Sequence, residues 1–334
     1  MAHGFGDAAR RLLQAGAAGL LLTLVSLSGR AAVPDYPARP VTVIVPFPAG
    51  GGTDILARVI AKHMTTVLGK PVLVDNRGGA GGNLGIGAVA RAKPDGHTLL
   101  VSSAIFVNNP SLFKQVPYDP IKDFVPIVLI TASPNVILTR ADSGIRTVAD
   151  LLATAKANPD KLNYSSPGIG TSSHLSAELF KLRSRVNITH VPYSGSAPGL
   201  TALLGGETQL GFFGIAGGGG PQIVSGKLRA LAHTGTGRLK DFPDIPSLAE
   251  VGFPGFEAEN FNAMLAPAGT PPEIVELLMR EVLTILKRQD VAESLQQTGG
   301  VNVVAGDKDA LRARLARELP IWKEVVEKAG IKPE

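Results

Sequence analysis

The sequence predicts an α/β fold in two lobes, with the chain crossing between them twice. Three observations predict it. After Tyr36, short β-rich runs alternate with stretches of helical apolar spacing. The strand-to-helix connections are glycine-rich, and 39 Gly and 25 Pro in 334 residues supply them. Two further strand-like stretches, 125–133 and 257–266, divide the chain into a beginning, a middle and an end. A chain that leaves one lobe, builds a second and returns would use two such strands as a hinge. The same blocks also fit a single doubly wound domain.

Strands are expected at 41–45, 72–74, 98–101, 135–139, 162–164, 188–191, 209–213 and 229–233. Helices are expected at 54–68, 83–92, 148–157, 172–182, 197–204, 272–287 and 308–328. In 54–68 the apolar residues Ile55, Leu56, Val59, Ile60, Met64 and Val67 recur at helical spacing. Strands separated by helices indicate βαβ units and mainly parallel sheets. The lobes are expected at 36–132 with 258–334, and at 133–257.

Residues 1–31 carry an export signal in three parts: Arg10 and Arg11, an uncharged, mostly apolar stretch at 12–27, and the small residues Gly29, Ala31 and Ala32. Cleavage is expected near Ala31, and the apolar stretch falls short of the roughly 20 residues a spanning helix needs. The mature chain is therefore expected in the periplasm, as a monomer. Of the net charge of +5, Arg10, Arg11 and Arg30 against Asp7 place +2 in the signal. No Lys/Arg run interleaved with aromatics occurs, so nucleic acid is not an expected partner. The chain has no Cys, which excludes disulfides, thiolate nucleophiles and Cys-based zinc sites. The histidines are scattered, with no H-E-x-x-H, so neither a metal nor a cofactor is expected.

Three loops of one chemical type carry the site chemistry. Each joins a strand to a helix. The first is Pro46-Phe47-Pro48-Ala49-Gly50-Gly51-Gly52-Thr53-Asp54. Its glycines permit a tight turn with exposed N–H groups, and a helix N-terminus favours anions. No Lys follows, so it is not a phosphate loop of the Walker type. The second is Ser165-Ser166-Pro167-Gly168-Ile169-Gly170-Thr171-Ser172-Ser173-His174, and the third Val191-Pro192-Tyr193-Ser194-Gly195-Ser196-Ala197-Pro198. In open α/β sheets such loops lie where ligands bind. His174 invites a Ser/His hydrolase reading, but G-x-S-x-G is absent and no acid stands nearby, so His174 is expected to be packed or hydrogen-bonded locally. A fourth cluster, Arg77-Gly78-Gly79-Ala80-Gly81-Gly82-Asn83, reads better as a shaped loop than as part of a site. None of the three loops contains Lys or Arg. A carboxylate there would be held by N–H groups, hydroxyls and water, and a β-branched residue at Gly51 is expected to disturb this through lost φ freedom.

The chain resembles the substrate-binding proteins of tripartite tricarboxylate transporters, the Bug-type family. The resemblance rests on spaced segments: Val45-Pro46-Phe47-Pro48, Gly52-Thr53-Asp54, Pro94-Asp95-Gly96, Asn109-Pro110-Ser111-Leu112, Pro117-Tyr118-Asp119-Pro120, Gly170-Thr171-Ser172-Ser173-His174-Leu175, His190-Val191-Pro192-Tyr193 and Leu265-Ala266-Pro267-Ala268-Gly269-Thr270-Pro271. It implies a type II, Venus-flytrap fold with two hinge strands and a discontinuous first lobe. It also implies that the loops at 48–54 and 193–197 hold a ligand carboxylate, partly through water, and that integral membrane transporter subunits are the partners. Two places depart from the family: the short connection Arg183-Ser184-Arg185-Val186, and Gly211-Phe212-Phe213-Gly214 where relatives often carry Asp and Asn.

The candidate ligand-binding residues are Phe47, Pro48, Ala49, Gly50, Gly51, Gly52, Thr53 and Asp54, then Ser103. Ser166, Gly168, Gly170, Thr171 and Ser172 come from the second loop, and Tyr193, Ser194, Gly195, Ser196 and Ala197 from the third. Phe213, if it faces the cleft, adds an apolar wall without counter-charge; strand alternation allows equally that it is core. A wall of that kind favours a dicarboxylate or an aromatic acid over an amino acid. The competing readings are a receptor for a signalling kinase and, from a different class, a hydrolase.

Overall fold

Val41–Val45 is rich in β-branched residues and almost wholly buried, and it forms β1 at the centre of a parallel trio. The structure, a computed structural model, describes residues 36–333 except Asp160 and 298–301; the expected export signal at 1–31 lies outside the described residues. β2 (Val72–Asn76) and β3 (Thr98–Ser103) flank β1. Between them run α1 (Gly52–Leu68) and α2 (Asn83–Ala90). α1 buries Leu56, Ala57, Ile60, Ala61 and Met64, one helical face, and stops at Gly69 in the left-handed region at φ 67°. α3 (Ile105–Leu112) follows β3.

The chain then enters β4 (Phe124–Arg140), 17 residues long and buried along nearly its whole length. Up to Pro134 it pairs antiparallel with β9 (Glu259–Pro267), and Thr131 and Ala132 also face β10 (Asn302–Gly306). From Asn135 onward it pairs with β7 (Leu210–Gly214) and β8 (Leu228–His233). β5 (Asn163–Ser166), β6 (Thr189–Pro192) and β7 form a second parallel trio. The sheet order is β2-β1-β3-β9-β4-β7-β5-β6, so β4 belongs to both halves.

The helices of the second half are α4 (Val148–Ala157), α5 (Ser172–Ser184), α6 (Ser196–Gly205) and the short α7 (Gly220–Val224), which continues a π-turn at Ile215–Gly219. α4 opens on a capping box: Thr147 Oγ1 accepts the Asp150 N–H while Asp150 accepts the Thr147 N–H. α8 (Pro272–Leu286), α9 (Gln289–Gln297) and α10 (Lys308–Lys328) close the chain. α10 starts at Asp307, whose carboxylate accepts from the N–H groups of Asp309 and Ala310.

Four points differ from the sequence reading. The sheets are mixed, because β4, β8, β9 and β10 run antiparallel to their partners. The stretches expected at 125–133 and 135–139 are one strand: Pro134, which cannot donate to a ladder, sits where the pairing changes hands. α3, α9 and β10 were not anticipated. Ile215–Val224 is helical despite its run of glycines. Among the described residues no helix is long and apolar enough to cross a membrane.

Candidate functional site

The β1–α1 loop is exposed from Pro48 to Gly52, and Asp54 shapes it from within. The Asp54 carboxylate is buried and accepts from Gly50 N at 2.8 Å, Arg58 Nε at 3.0 Å and Asn76 Nδ2 at 2.9 Å. Burial alone would raise its pKa, but the hydrogen bonds from Arg58, Gly50 and Asn76 hold it below the ordinary value. A carboxylate so occupied positions the loop. Gly50 takes a φ of 88°, so glycine is required there. Gly51 has φ −75°, and a Cβ on it would meet only Pro48 O at 3.8 Å. The expected dependence of position 51 on φ freedom therefore belongs to position 50. Residues 76–85 buttress this loop: Arg77 N donates to Val45 O, Asn76 Nδ2 to Phe47 O, and a Cβ on Gly82 would lie 3.2 Å from Pro46 O.

Thr53 ties the loop to the crossing strands. Its Oγ1 donates to Asn262 Oδ1 at 2.9 Å, and Asn262 Nδ2 donates to Thr131 Oγ1 at 3.0 Å. Ser103 pairs with Asn262 in the β3–β9 register. Buried polar groups thus run from Ser103 through Asn262 to Thr131, and β4 continues them at alternate positions with Ser133 and Asn135. Strands made for packing alone would place aliphatic residues there.

The second and third loops are joined. Tyr193 N donates to Ser166 O at 3.1 Å and Gly195 N to Pro167 O at 3.0 Å. Within the second loop Thr171 caps α5, its Oγ1 accepting the His174 N–H at 3.2 Å, and Thr171 Oγ1 donates to Gly168 O at 2.8 Å. Gly168 and Gly170 take φ values of 136° and 75°, and a Cβ on Gly170 would lie 3.1 Å from Leu112 of α3. This loop therefore reaches the half of the molecule that holds the first loop. Ser172, Ser194, Gly195, Ser196 and Ala197 are at least partly exposed at the starts of α5 and α6. The Tyr193 hydroxyl donates to Glu207, beyond the far end of α6.

Phe213 is a correction. It is fully buried under α6 with Val136, Leu138, Leu200 and Leu203, and a Cβ on Gly199 would come within 2.9 Å of its ring. It is core, and it forms no cleft wall. An apolar cavity of about 400 Å³ lined by Ile215, Pro221, Val224, Leu239, Phe242 and Asn302 shares no residue with the three loops.

His174 is 3% exposed; its Nδ1 accepts from Gly170 N at 3.0 Å and its ring stacks on His190 at 4.1 Å. The histidine beside a serine is His190, whose Nε2 lies 2.7 Å from Ser166 Oγ. Burial, then His174 and Lys181, push the His190 pKa down to about 3. Glu178, which could orient a base, is held by Tyr164 at 2.6 Å and Lys181 at 2.8 Å. A base of that pKa is poorly matched to neutral-pH acyl transfer. Burial also lowers His174 to about 4, with Glu178 opposing and Lys181 adding. Between pH 6.5 and 4 the unfolded chain binds a proton at 174 that the native state refuses. Stability contributed there is present above the unfolded pKa and lost as pH falls, by about 1.4 kcal/mol per pH unit. In urea unfolding between pH 7.5 and 5, His174→Gln is expected to lose less stability than the parent; parallel profiles would contradict this.

Sequence reasoning did not single out the buried polar residues Thr131, Asn135 and Asn262. A signal existed: Thr131, Ser133 and Asn135 recur every second residue inside an otherwise apolar run.

The family model described as the tripartite tricarboxylate transporter family receptor matches residues 56–331. The chain belongs to this family. Its fold is the two-lobed one of periplasmic binding proteins: the solved structure of the periplasmic binding protein BugD is 38% identical at a TM-score of 0.67, covering 90% of this chain and 100% of that one. Rpa4515 of R. palustris, solved with adipate, is 34% identical at a TM-score of 0.70, covering 90% and 100%. MatC from Rhodopseudomonas palustris, solved with malate, is 34% identical at a TM-score of 0.67, covering 87% and 100%.

Proposed function

We propose that this receptor captures a small carboxylate between its lobes in the periplasm, after removal of residues 1–31, and delivers it to a tripartite tricarboxylate-type membrane transporter. The observation that carries the reading is the linkage of three cation-free loops: the β1–α1 loop is tied through Thr53 to Asn262 of β9 and on to Thr131 of β4, the β5–α5 loop through Ser173 to Asn135 of β4, and the β6–α6 loop to the β5–α5 loop. Such a site offers N–H groups and hydroxyls to an anion without a fixed counter-cation. The adipate and malate bound by two relatives are of this chemical class. Residues 36–132 with 258–334 form one lobe and 133–257 the other, and β4 and β9 act as the hinge. The contact residues are those of the three loops and Ser103, with Asp54 shaping the first loop and Phe213 excluded. The protein acts by binding, without turnover.

A thermal-shift panel of dicarboxylates, tricarboxylates, aromatic acids and acidic amino acids tests this on the mature chain. A ligand at 100 times its Kd adds about 2.7 kcal/mol to the folded state. At least one amine-free acid is expected to raise Tm, and the same acid to reduce the radius of gyration in small-angle scattering. No response to any acid would overturn the reading.

A further inference from the structure

Glu257 stands two residues before β9, in a segment fastened to the second lobe. Ala258 N donates to Thr234 O at 2.9 Å, and Thr234 Oγ1 to Ala258 O at 2.6 Å. Phe256 is buried against Phe253, whose ring lies 5.4 Å from that of Phe180 in α5. The side chain of Glu257 leaves that lobe. Its Oε1 lies 2.7 Å from Arg317 Nη2 and 3.7 Å from Arg314 Nη1, both on α10.

α10 packs on α3 of the first lobe, and its last turns lie beside α5 of the second, around a cavity of about 300 Å³ lined by Glu178, Lys181, Val325 and Lys328. Arg314 is already claimed by Glu318 and Glu259 and stacked on Phe261. Arg317 is half exposed, and among the described residues Glu257 is the carboxylate it pairs with. In the same arrangement a Cβ on Gly170 would lie 3.1 Å from Leu112 of α3, so the second loop is drawn against the first lobe while this ion pair is made. Rotation about the crossing at Pro134 and Glu259 would part both contacts.

We propose that Glu257 and Arg317, backed by Arg314, form a latch between the lobes. It holds them in the arrangement that encloses the ligand, and so sets part of the affinity from outside the ligand site. The proposal rests on the two-lobed receptor reading above and names positioning residues for it. A contact made only in the binding-competent state raises the population of that state, and the apparent affinity rises in proportion. A partly exposed ion pair is a weak contact, so the latch tunes release and does not forbid it.

Titration calorimetry with adipate and malate compares the mature parent with Glu257→Gln, Arg317→Gln and the double variant. The tighter-binding acid is expected to bind each single variant about two- to fivefold more weakly. The double variant should bind no more weakly than either, because all three lack the same contact. A second readout needs no ligand. The chain has no Cys, so spin labels at Lys62→Cys on α1 and Lys156→Cys on α4, both exposed, report the separation of the lobes. In the ligand-free protein each single variant is expected to shift the label distances from those of the parent. Arg288→Gln, which breaks an exposed pair with Asp290 inside the first lobe, should leave them as they are. Label distances that neither variant moves, or losses of affinity that add in the double variant, overturn the latch and leave the receptor reading standing. A parent that binds no acid in the wider panel removes the carboxylate reading, and the label distances then decide the latch by themselves.

Discussion

Replacing Arg314 by Met is expected to cost about 3–5 kcal/mol of stability, because it strands buried carboxylates. Arg314 of α10 is 5% exposed and faces two of them, Glu259 and Glu318, together with the partly exposed Glu257. Its Nε donates to Glu318 Oε1 at 2.7 Å; Nη1 lies 3.4 Å from Glu259 Oε2 and 3.7 Å from Glu257 Oε1. Its guanidinium also stacks 4.6 Å over the ring of Phe261. Glu318 has a second donor in Trp322 Nε1 at 3.1 Å, whereas Glu259 depends on Arg314. Glu259 opens β9, opposite Pro134, so this cluster fastens the C-terminal helix to the hinge.

The loss should depend on pH. Burial raises the Glu259 pKa to about 7, with Arg314 opposing and Glu257 adding. Burial likewise raises Glu318, again against Arg314. Without the arginine both shift further up. A native pKa above the unfolded one means that the native state holds the extra proton, so the associated stability is present at low pH and lost as pH rises. Urea unfolding of Arg314→Met should therefore show a larger deficit at pH 8 than at pH 5.5. A deficit under about 1 kcal/mol at pH 8 would mean that the carboxylates find other partners.

Much of this architecture was legible because it follows from local rules. Strand β1, helix α4 and helix α10 were expected at the residues where they lie, since β-branched runs, caps and helical spacing act over a few residues. The three loops stand out by their glycines. What was missed depends on distant partners. α3 contains Asn108-Asn109-Pro110, which reads as a turn, yet Asn109 Nδ2 donates to Gly81 O and Asn83 Oδ1 and anchors the helix to the glycine cluster. β10 is half exposed and is a strand only because β4 offers it an edge. Asn262 and Thr131 belong together through the β4–β9 pairing, which brings together residues 131 positions apart in the chain. His174, adjacent to serines in sequence, turned out to face Gly170, while His190, from the next strand, meets Ser166 because β5 and β6 are paired.

Phe213→Ala is expected to cost about 3–5 kcal/mol and to leave the order of preference among acids as it is in the parent. The ring is fully buried opposite Val136 in the β4–β7 register, and Gly211 and Gly199 are the residues that make room for it. A Cβ on Gly211 would come within 2.6 Å of the ring and one on Gly199 within 2.9 Å, so its surroundings are close-packed backbone and aliphatic side chains. Truncation leaves a cavity that sheet and helix cannot readily close, since β7 is hydrogen-bonded on both sides, to β4 and β5. Phe213→Leu, which fills most of that space, should recover more than half of the loss. Urea unfolding gives the stability, and the same acid panel gives the preference. A stable Phe213→Ala protein whose ranking of aromatic acids against dicarboxylates is inverted would return the ring to the ligand site. The expected outcome is a weakened fold with an unchanged ranking, as a ring enclosed between α6 and β4 requires.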